Sequence, residues 1–340
     1  MTALATILRH VPRTMAAITA VLMAAFAWAA LFCGGAALAA WPDRNITIIV
    51  PFPAGGATDL VGRLLAAELS PMLGCRVAVE NRVGDVGNVG IGAAARAAST
   101  GYTLIVVTNA MLINPAINPG LTGSSYDPLR DFSPIAYLGA APNIIITRPD
   151  SGITSIADLI AKAKAAPGSL TYASPGIGSS SALAMELFKL RAKVDIRPIG
   201  FDGSEPALMA VLSGATDVAV VGIAGLLDRI HSGVFEPLAL TGAERWPDLA
   251  DVPTLAEAGI SGAEAETTQM FLAPAGTPEP IIQRLAHATE GVLQRPEIKA
   301  AMLKAGFRLQ YEGPDELHDR ILREVPLWDD VVTTAGLRRK

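Results

Sequence analysis

Four short stretches put uncharged hydrogen-bond donors where a small anion would be held. The first, Ile46–Leu69, runs ITIIV, then PFPAGGATD, then LVGRLLAAEL. It reads as a buried strand, a Pro/Gly loop and an amphipathic helix that starts near Thr58 and Asp59. A helix entered this way leaves its first backbone N–H groups without partners. It also aims the positive end of its dipole at the loop, which suits a carboxylate or phosphate. Gly55 and Gly56 carry no Cβ to hold a ligand off the backbone, and Phe52, Pro53 and Ala54 complete the loop. The second stretch, Leu170–Lys189, repeats the pattern as LTYAS, PGIG and SSSALAMELFK. It places Ser174, Gly178, Ser179, Ser180 and Ser181 at the junction. The third passes through Phe201, Asp202, Gly203 and Ser204 into a helix, with Ser204 as N-cap and Pro206 in the first turn. The fourth is the loop Thr108–Pro115, where Thr108, Asn109 and Asn114 offer polar side chains. Asp59 has two readings. It belongs to the site, or it stabilises the first helical turn by about 0.3–1 kcal/mol through the dipole, since a carboxylate beside a bound carboxylate would repel it.

Other chemistries find little support. His231, His287 and His318 are far apart, with no clustered cysteines or acids, so no metal is expected. There is no G-x-S-x-G elbow, and no Ser/His/Asp set stands out. Glu264 and Glu266 read as a solvated loop. Cys75 reads as a half-buried small hydrophobe. Gly176-x-Gly178-x-x-Ser181, followed by Asp195, echoes a dinucleotide fingerprint. However, the third glycine is a serine, and the acid begins its strand instead of ending it. No cofactor is expected.

The elements that must position these loops alternate. Short β-rich apolar runs are expected at 46–50, 77–81, 103–108, 135–138, 143–147, 171–174, 196–199, 218–221, 237–240 and 271–274. Between them lie helical patterns, including one over 254–258. This alternation implies mostly parallel sheets with helices on both faces and ligands outside the carboxyl ends of the strands. The 340 residues carry a formal charge of −5. Residues 1–40 read as a secretory signal, with Arg9, His10 and Arg13 ahead of an uncharged apolar stretch and a small-residue cleavage site near Ala39/Ala40. Removing the two arginines takes the charge to −7. Such an acidic chain argues against nucleic acid as a partner.

In order along the chain, IVPFPAGGATD, VENRVGDVGNVG, GYTLIVVTN, INPAI, YDPLRDFSPIA, LTYASPGIGSSS, GSEPALMAVLSGATDVAV, LADVPTLAEAG, FLAPAGTP and AMLKAGF resemble the Bug receptors. These are extracytoplasmic solute-binding proteins related to the tripartite tricarboxylate transporter receptor. The resemblance covers about 41–336. It implies an α/β type II periplasmic-binding-protein fold, with two domains joined by two crossing strands and a ligand cleft between them. The first domain would be 41–141 plus 268–340, the second 142–267. It implies a monomeric periplasmic receptor that closes on a carboxylate and is read by a separate membrane permease or a sensor kinase. Carried over, the ligand wall is Phe52 to Gly56, Thr58, Asp59, Thr108, Asn109, Ser174, Gly178 to Ser181, Phe201 and Gly203. Two departures stand out. Ala182 follows the serine run where many members have His. Gly222 and Ile223 follow the strand at 218–221 where many have Asp-Asn. Loss of that Asp predicts poor binding of amino acids, whose ammonium lacks its partner.

Overall fold

The computed structural model describes residues 41–118 and 126–338; the export signal read over 1–40 lies outside them. From Arg44 onward the elements are β1 (Ile46–Val50), α1 (Ala57–Leu73), β2 (Val77–Asn81), α2 (Asn88–Ala95), β3 (Thr103–Thr108), α3 (Ala110–Ile117), β4 (Phe132–Thr147), α4 (Ile156–Ala165), β5 (Thr171–Ser174), α5 (Ser180–Ala192), β6 (Arg197–Gly200), α6 (Ser204–Leu212), β7 (Val218–Gly222), α7 (Leu227–His231), β8 (Glu236–Leu240), β9 (Glu266–Pro274), α8 (Glu279–Leu293), α9 (Pro296–Lys304), β10 (Arg308–Glu312) and α10 (Pro314–Thr334).

The first βα unit forms for local reasons. β1 is apolar on both faces because it lies between β2 and β3, parallel to each. α1 buries Val61, Leu65, Leu69 and Leu73, four residues apart. It stops at Gly74, whose left-handed φ of 72° lets its N–H return to the Ser70 carbonyl.

The strands form one curled sheet in the order β2-β1-β3-β9-β4-β7-β5-β6, with β8 and β10 also paired to β4. The outer parts are parallel, as expected, but the centre is antiparallel. There β9 runs against both β3 and β4. β4 is one 16-residue strand where the sequence suggested two, at 135–138 and 143–147. Gly139 and Pro142, between the two expected runs, lie within the ladder to β9. The first part of β4 pairs with β9 and β10, and its last residues, from Asn143, pair with β7 and β8. One strand thus serves both halves of the sheet.

Apolar packing follows the same division. One cluster gathers Ile105, Val107, Met111, Ile113 and Leu272 with Leu317 and Trp328 of α10. Two others cover the faces of β5 and β7, one with Val221, Ile223 and Trp246, the other with Tyr172, Phe188 and Val220. Leu183 and Ala184 of α5 join the first cluster, so this helix packs against both halves. Two further expectations fail locally. Residues 110–117 form helix α3 despite Pro115; the Met111 carbonyl, which loses its helical N–H partner there, accepts from the Tyr126 hydroxyl instead (3.0 Å). The helix expected over 254–258 is a turn, because Thr254 bridges in parallel to Leu240.

Candidate functional site

The two Pro/Gly junctions meet on one strand. Successive β9 side chains alternate faces, so Thr267 and Gln269 share one, about 7 Å apart. The Gln269 Nε2 donates to the Thr58 hydroxyl at the start of α1 (3.0 Å). The Thr267 hydroxyl lies 2.8 Å from that of Ser180, at the start of α5. α1 has no side-chain cap, and the N–H groups of Ala57, Thr58 and Asp59 have no carbonyl one turn back. α5 is capped by Ser179, whose oxygen accepts from the Ala182 N–H at 3.2 Å. That leaves the N–H groups of Ser180 and Ser181 outside the helical ladder.

Asn143, fully buried on β4, joins the pieces. Its Nδ2 donates to the Ala265 carbonyl (3.1 Å). Its Oδ1 accepts from the hydroxyls of Ser181 (2.7 Å) and Thr267 (2.8 Å). Asn109, 1% exposed at the end of β3, donates from Nδ2 to the Glu266 carbonyl (3.1 Å), and its Oδ1 has no protein partner.

The two halves touch around this floor. A Cβ on Gly178 would stand 2.3 Å from the Asn114 Oδ1, one on Gly176 3.0 Å from Val86, and one on Gly203 3.8 Å from Pro53. The Val86 loop is strained into place: Gly84, Asp85, Val86 and Gly87 all have positive φ, which is costly for a β-branched residue. Asn114 holds it by donating from Nδ2 to the Val86 carbonyl (3.1 Å), and it also reaches the Asn88 Oδ1 (3.0 Å).

Most of the residues expected from sequence lie along this seam. Pro53, Ala54, Gly55 and Gly56 are exposed on the loop, and Phe52 packs its ring near Gly87. Thr58, Thr108, Ser174, Ser179, Ser180 and Ser181 are buried. Thr108 accepts from the Ala110 N–H, and the Phe201 N–H donates to the Ser174 carbonyl. Gly203 is the N-cap of α6, at φ 113°. Gly222 pairs with Asn143 at the end of β7, and a side chain there would meet open space.

Two of the expected residues turn into the protein. The Asp59 carboxylate is fully engaged inside the protein: Oδ2 accepts from the Gly55 N–H (2.9 Å) and from Arg63 (2.8 Å), and Oδ1 from Asn81 (2.8 Å). Burial alone would raise its pKa. The hydrogen bonds from Arg63, Gly55 and Asn81 outweigh that and hold it below the usual carboxylate range. Asp59 therefore shapes the loop. Ile223 buries its side chain in the apolar cluster with Ile144 and Leu226. Sequence reading missed Asn88, Asn143, Thr267 and Gln269 as structural members of the seam. Polar residues inside apolar strand runs were the available signal for Asn143 and Gln269.

Neither junction contributes a lysine or arginine; Arg63, the nearest cation to the first, is turned to Asp59. The seam therefore offers neutral donors and helix N-termini, an arrangement that holds an anion without a salt bridge. Among the described residues there is no cluster of His, Cys, Asp or Glu able to hold a metal. A separate cavity of about 420 Å³, between Ser155, Pro237 and Val252, is edged by Glu236 and Asp251, which suits an anion poorly.

The sequence profile of the tripartite tricarboxylate transporter family receptor matches residues 61–337. The chain belongs to this receptor family. Protein BugT of Bordetella pertussis is similar to it, at 33% identity over 302 residues, covering 88% of this chain and 92% of BugT. Among solved structures, R. palustris Rpa4515 with adipate aligns at a TM-score of 0.82 and 32% identity, covering 87% of this chain and 98% of that one. MatC of Rhodopseudomonas palustris with bound malate aligns at 0.78 and 30%, covering 86% and 100%. The curled α/β sheet is thus the periplasmic-binding-protein fold of this family, as the Bug resemblance implied.

Proposed function

We propose that this receptor captures a small organic carboxylate between two lobes, 41–141 plus 268–340 and 142–267, and presents it to separate membrane subunits of a transporter. The observation that carries this reading is the convergence of the α1 and α5 starts on the Thr267–Gln269 face of β9. A carboxylate there would take the unpaired N–H groups of α1 and the Thr58 hydroxyl, in a cleft without a competing cation. The relatives solved with adipate and with malate support the same ligand class. β4 and β9 serve as the crossing strands, and closure about them brings Gly176 and Gly178 onto Val86 and Asn114. Ligand favours the closed form only by binding it better than the open one. The receptor acts in the periplasm as a monomer, after cleavage of the leader near Ala39/Ala40, and returns its ligand unchanged.

A thermal-shift screen of the exported protein against mono-, di- and tricarboxylates tests this. A binder at about 100 times its Kd adds about 2.7 kcal/mol. That is worth roughly 2–4 °C per kcal/mol in a chain of this size. A shift confined to one acid class is the expected result. No shift with any acid, after removal of co-purified ligand, would refute the reading. Conversion of a bound acid to product would refute the receptor role.

A further inference from the structure

The hydrogens of the serine run can be traced, and they point inward. Asn143 must turn Nδ2 toward the Ala265 carbonyl, because that oxygen only accepts. Its Oδ1 therefore faces Ser181 at 2.7 Å and Thr267 at 2.8 Å, and each hydroxyl must donate to it. Thr267 has then used its one hydrogen, so the 2.8 Å contact between Thr267 and Ser180 requires Ser180 to donate. Ser179 donates to the Gly176 carbonyl at 2.7 Å. None of the three hydroxyls keeps a hydrogen for a ligand. Ser180 presents lone pairs only. Asn109, 1% exposed, is fixed in the same sense: its Nδ2 donates to the Glu266 carbonyl, so its unpartnered Oδ1 is an acceptor. Ser180 and Asn109 are tied to consecutive β9 residues, Thr267 and Glu266. The floor beside them thus accepts hydrogen bonds, as does the unpartnered Gln269 Oε1, while the backbone N–H groups of the α1 start donate them.

We infer that Ser180 and Asn109 form an acceptor subsite that selects a carboxylate bearing a neutral donor, a hydroxyl group, over the same acid without it. This rests on the carboxylate reading above. The carboxylate sits at α1, and the hydroxyl reaches the acceptor wall. An unsubstituted acid leaves these buried oxygens unpaired. An ammonium would satisfy them but would be desolvated there, and Asp59, the carboxylate of the first junction, is already engaged. Asn143 is a positioning residue: it acts through Thr267 by fixing the direction of the chain of hydrogens.

The test is calorimetric titration of the exported protein with matched acids: malate, succinate and aspartate, then lactate, propionate and alanine. The expected result is that the hydroxy acid of the series that binds is preferred over its unsubstituted partner by at least about tenfold. Equal binding of malate and succinate, or tightest binding of aspartate, would overturn the inference while leaving the carboxylate reading intact. Binding of none of the six, together with no shift from any acid in the screen above, would overturn both; where another acid is the binder, its hydroxylated and unsubstituted forms carry the same comparison. Ser180→Ala should bring the hydroxy/unsubstituted ratio toward 1, because Ser179 still caps the helix. Thr267→Val should free the Ser180 hydrogen and shift preference toward the unsubstituted acid. An undiminished ratio in both folded variants would contradict the assignment. Should either fail to fold, the wild-type ratio still decides.

Discussion

Thr267 and Gln269 stand two residues apart on one face of β9, and each ties down a different helix start, Thr267 at Ser180 and Gln269 at Thr58. A single stretch of strand therefore sets the spacing of the two junctions. Removing the Thr58 hydroxyl should show this. Thr58→Val keeps the shape but leaves the buried Gln269 amide without its partner, at a cost of about 1–3 kcal/mol in stability. It should also weaken carboxylate binding by about tenfold, through loss of a charge-assisted donor. Chemical denaturation and calorimetry would measure the two effects.

Gly178→Ala probes closure. The added methyl would lie 2.3 Å from the Asn114 Oδ1, and Asn114 is held by Val86 and Asn88. On the closure reading, the clash arises only when the halves are together. Ligand affinity should fall at least about tenfold, about 1.4 kcal/mol, with the melting temperature of the ligand-free protein little changed. An equal loss in both would point to a folding defect instead.

Asp59→Asn should destabilise the protein by about 1–3 kcal/mol at neutral pH, since Gly55, Arg63 and Asn81 lose their charged acceptor. The Asp59 pKa is depressed in the folded state. Its contribution is therefore complete above the ordinary carboxylate value, about 3.9, and is lost as pH falls through the lower folded value. The gap between wild type and variant should close on strong acidification. Denaturation midpoints across pH would show it.

Glu266 should behave in the opposite sense. Burial raises its pKa, Glu244 adds to that, and Arg308 opposes it. The folded state keeps this proton to higher pH than the unfolded chain. The ionised group therefore costs stability above the folded pKa, and the cost fades as pH falls through it. Glu266→Gln should stabilise the protein near neutrality, because the amide carries no charge to desolvate. The gain should shrink on acidification. A gain that grew with acidity would contradict this placement of the charge.

The parts of the site that follow from local chemistry were legible in the sequence. The β1–α1 and β5–α5 junctions announce themselves because a strand, a Pro/Gly loop and a helix start occupy some twenty consecutive residues. Ser179 as a cap follows from the same pattern. The floor was not legible. Gln269 meets Thr58 across 211 positions, Asn143 meets Thr267 across 124, and Ser180 meets Thr267 across 87. Nothing local in those residues names the partner. The sequence left two readings of Asp59 open, because its partner Asn81 lies on the neighbouring strand β2. Ile223 was misread because the chain turns back into the core just after Gly222. The antiparallel centre stayed hidden for the same reason: β4 reads as two short strands until β9 is laid beside it.

The most direct measurement is a crystal structure of the exported protein with the acid that gives the largest thermal shift. A carboxylate group within about 2.7–3.1 Å of the Ala57 or Thr58 N–H and the Thr58 hydroxyl, with the chain closed over it, is the expected result. An acid bound elsewhere, such as the cavity between Ser155 and Val252, with the α1 start in contact with solvent alone, would contradict it.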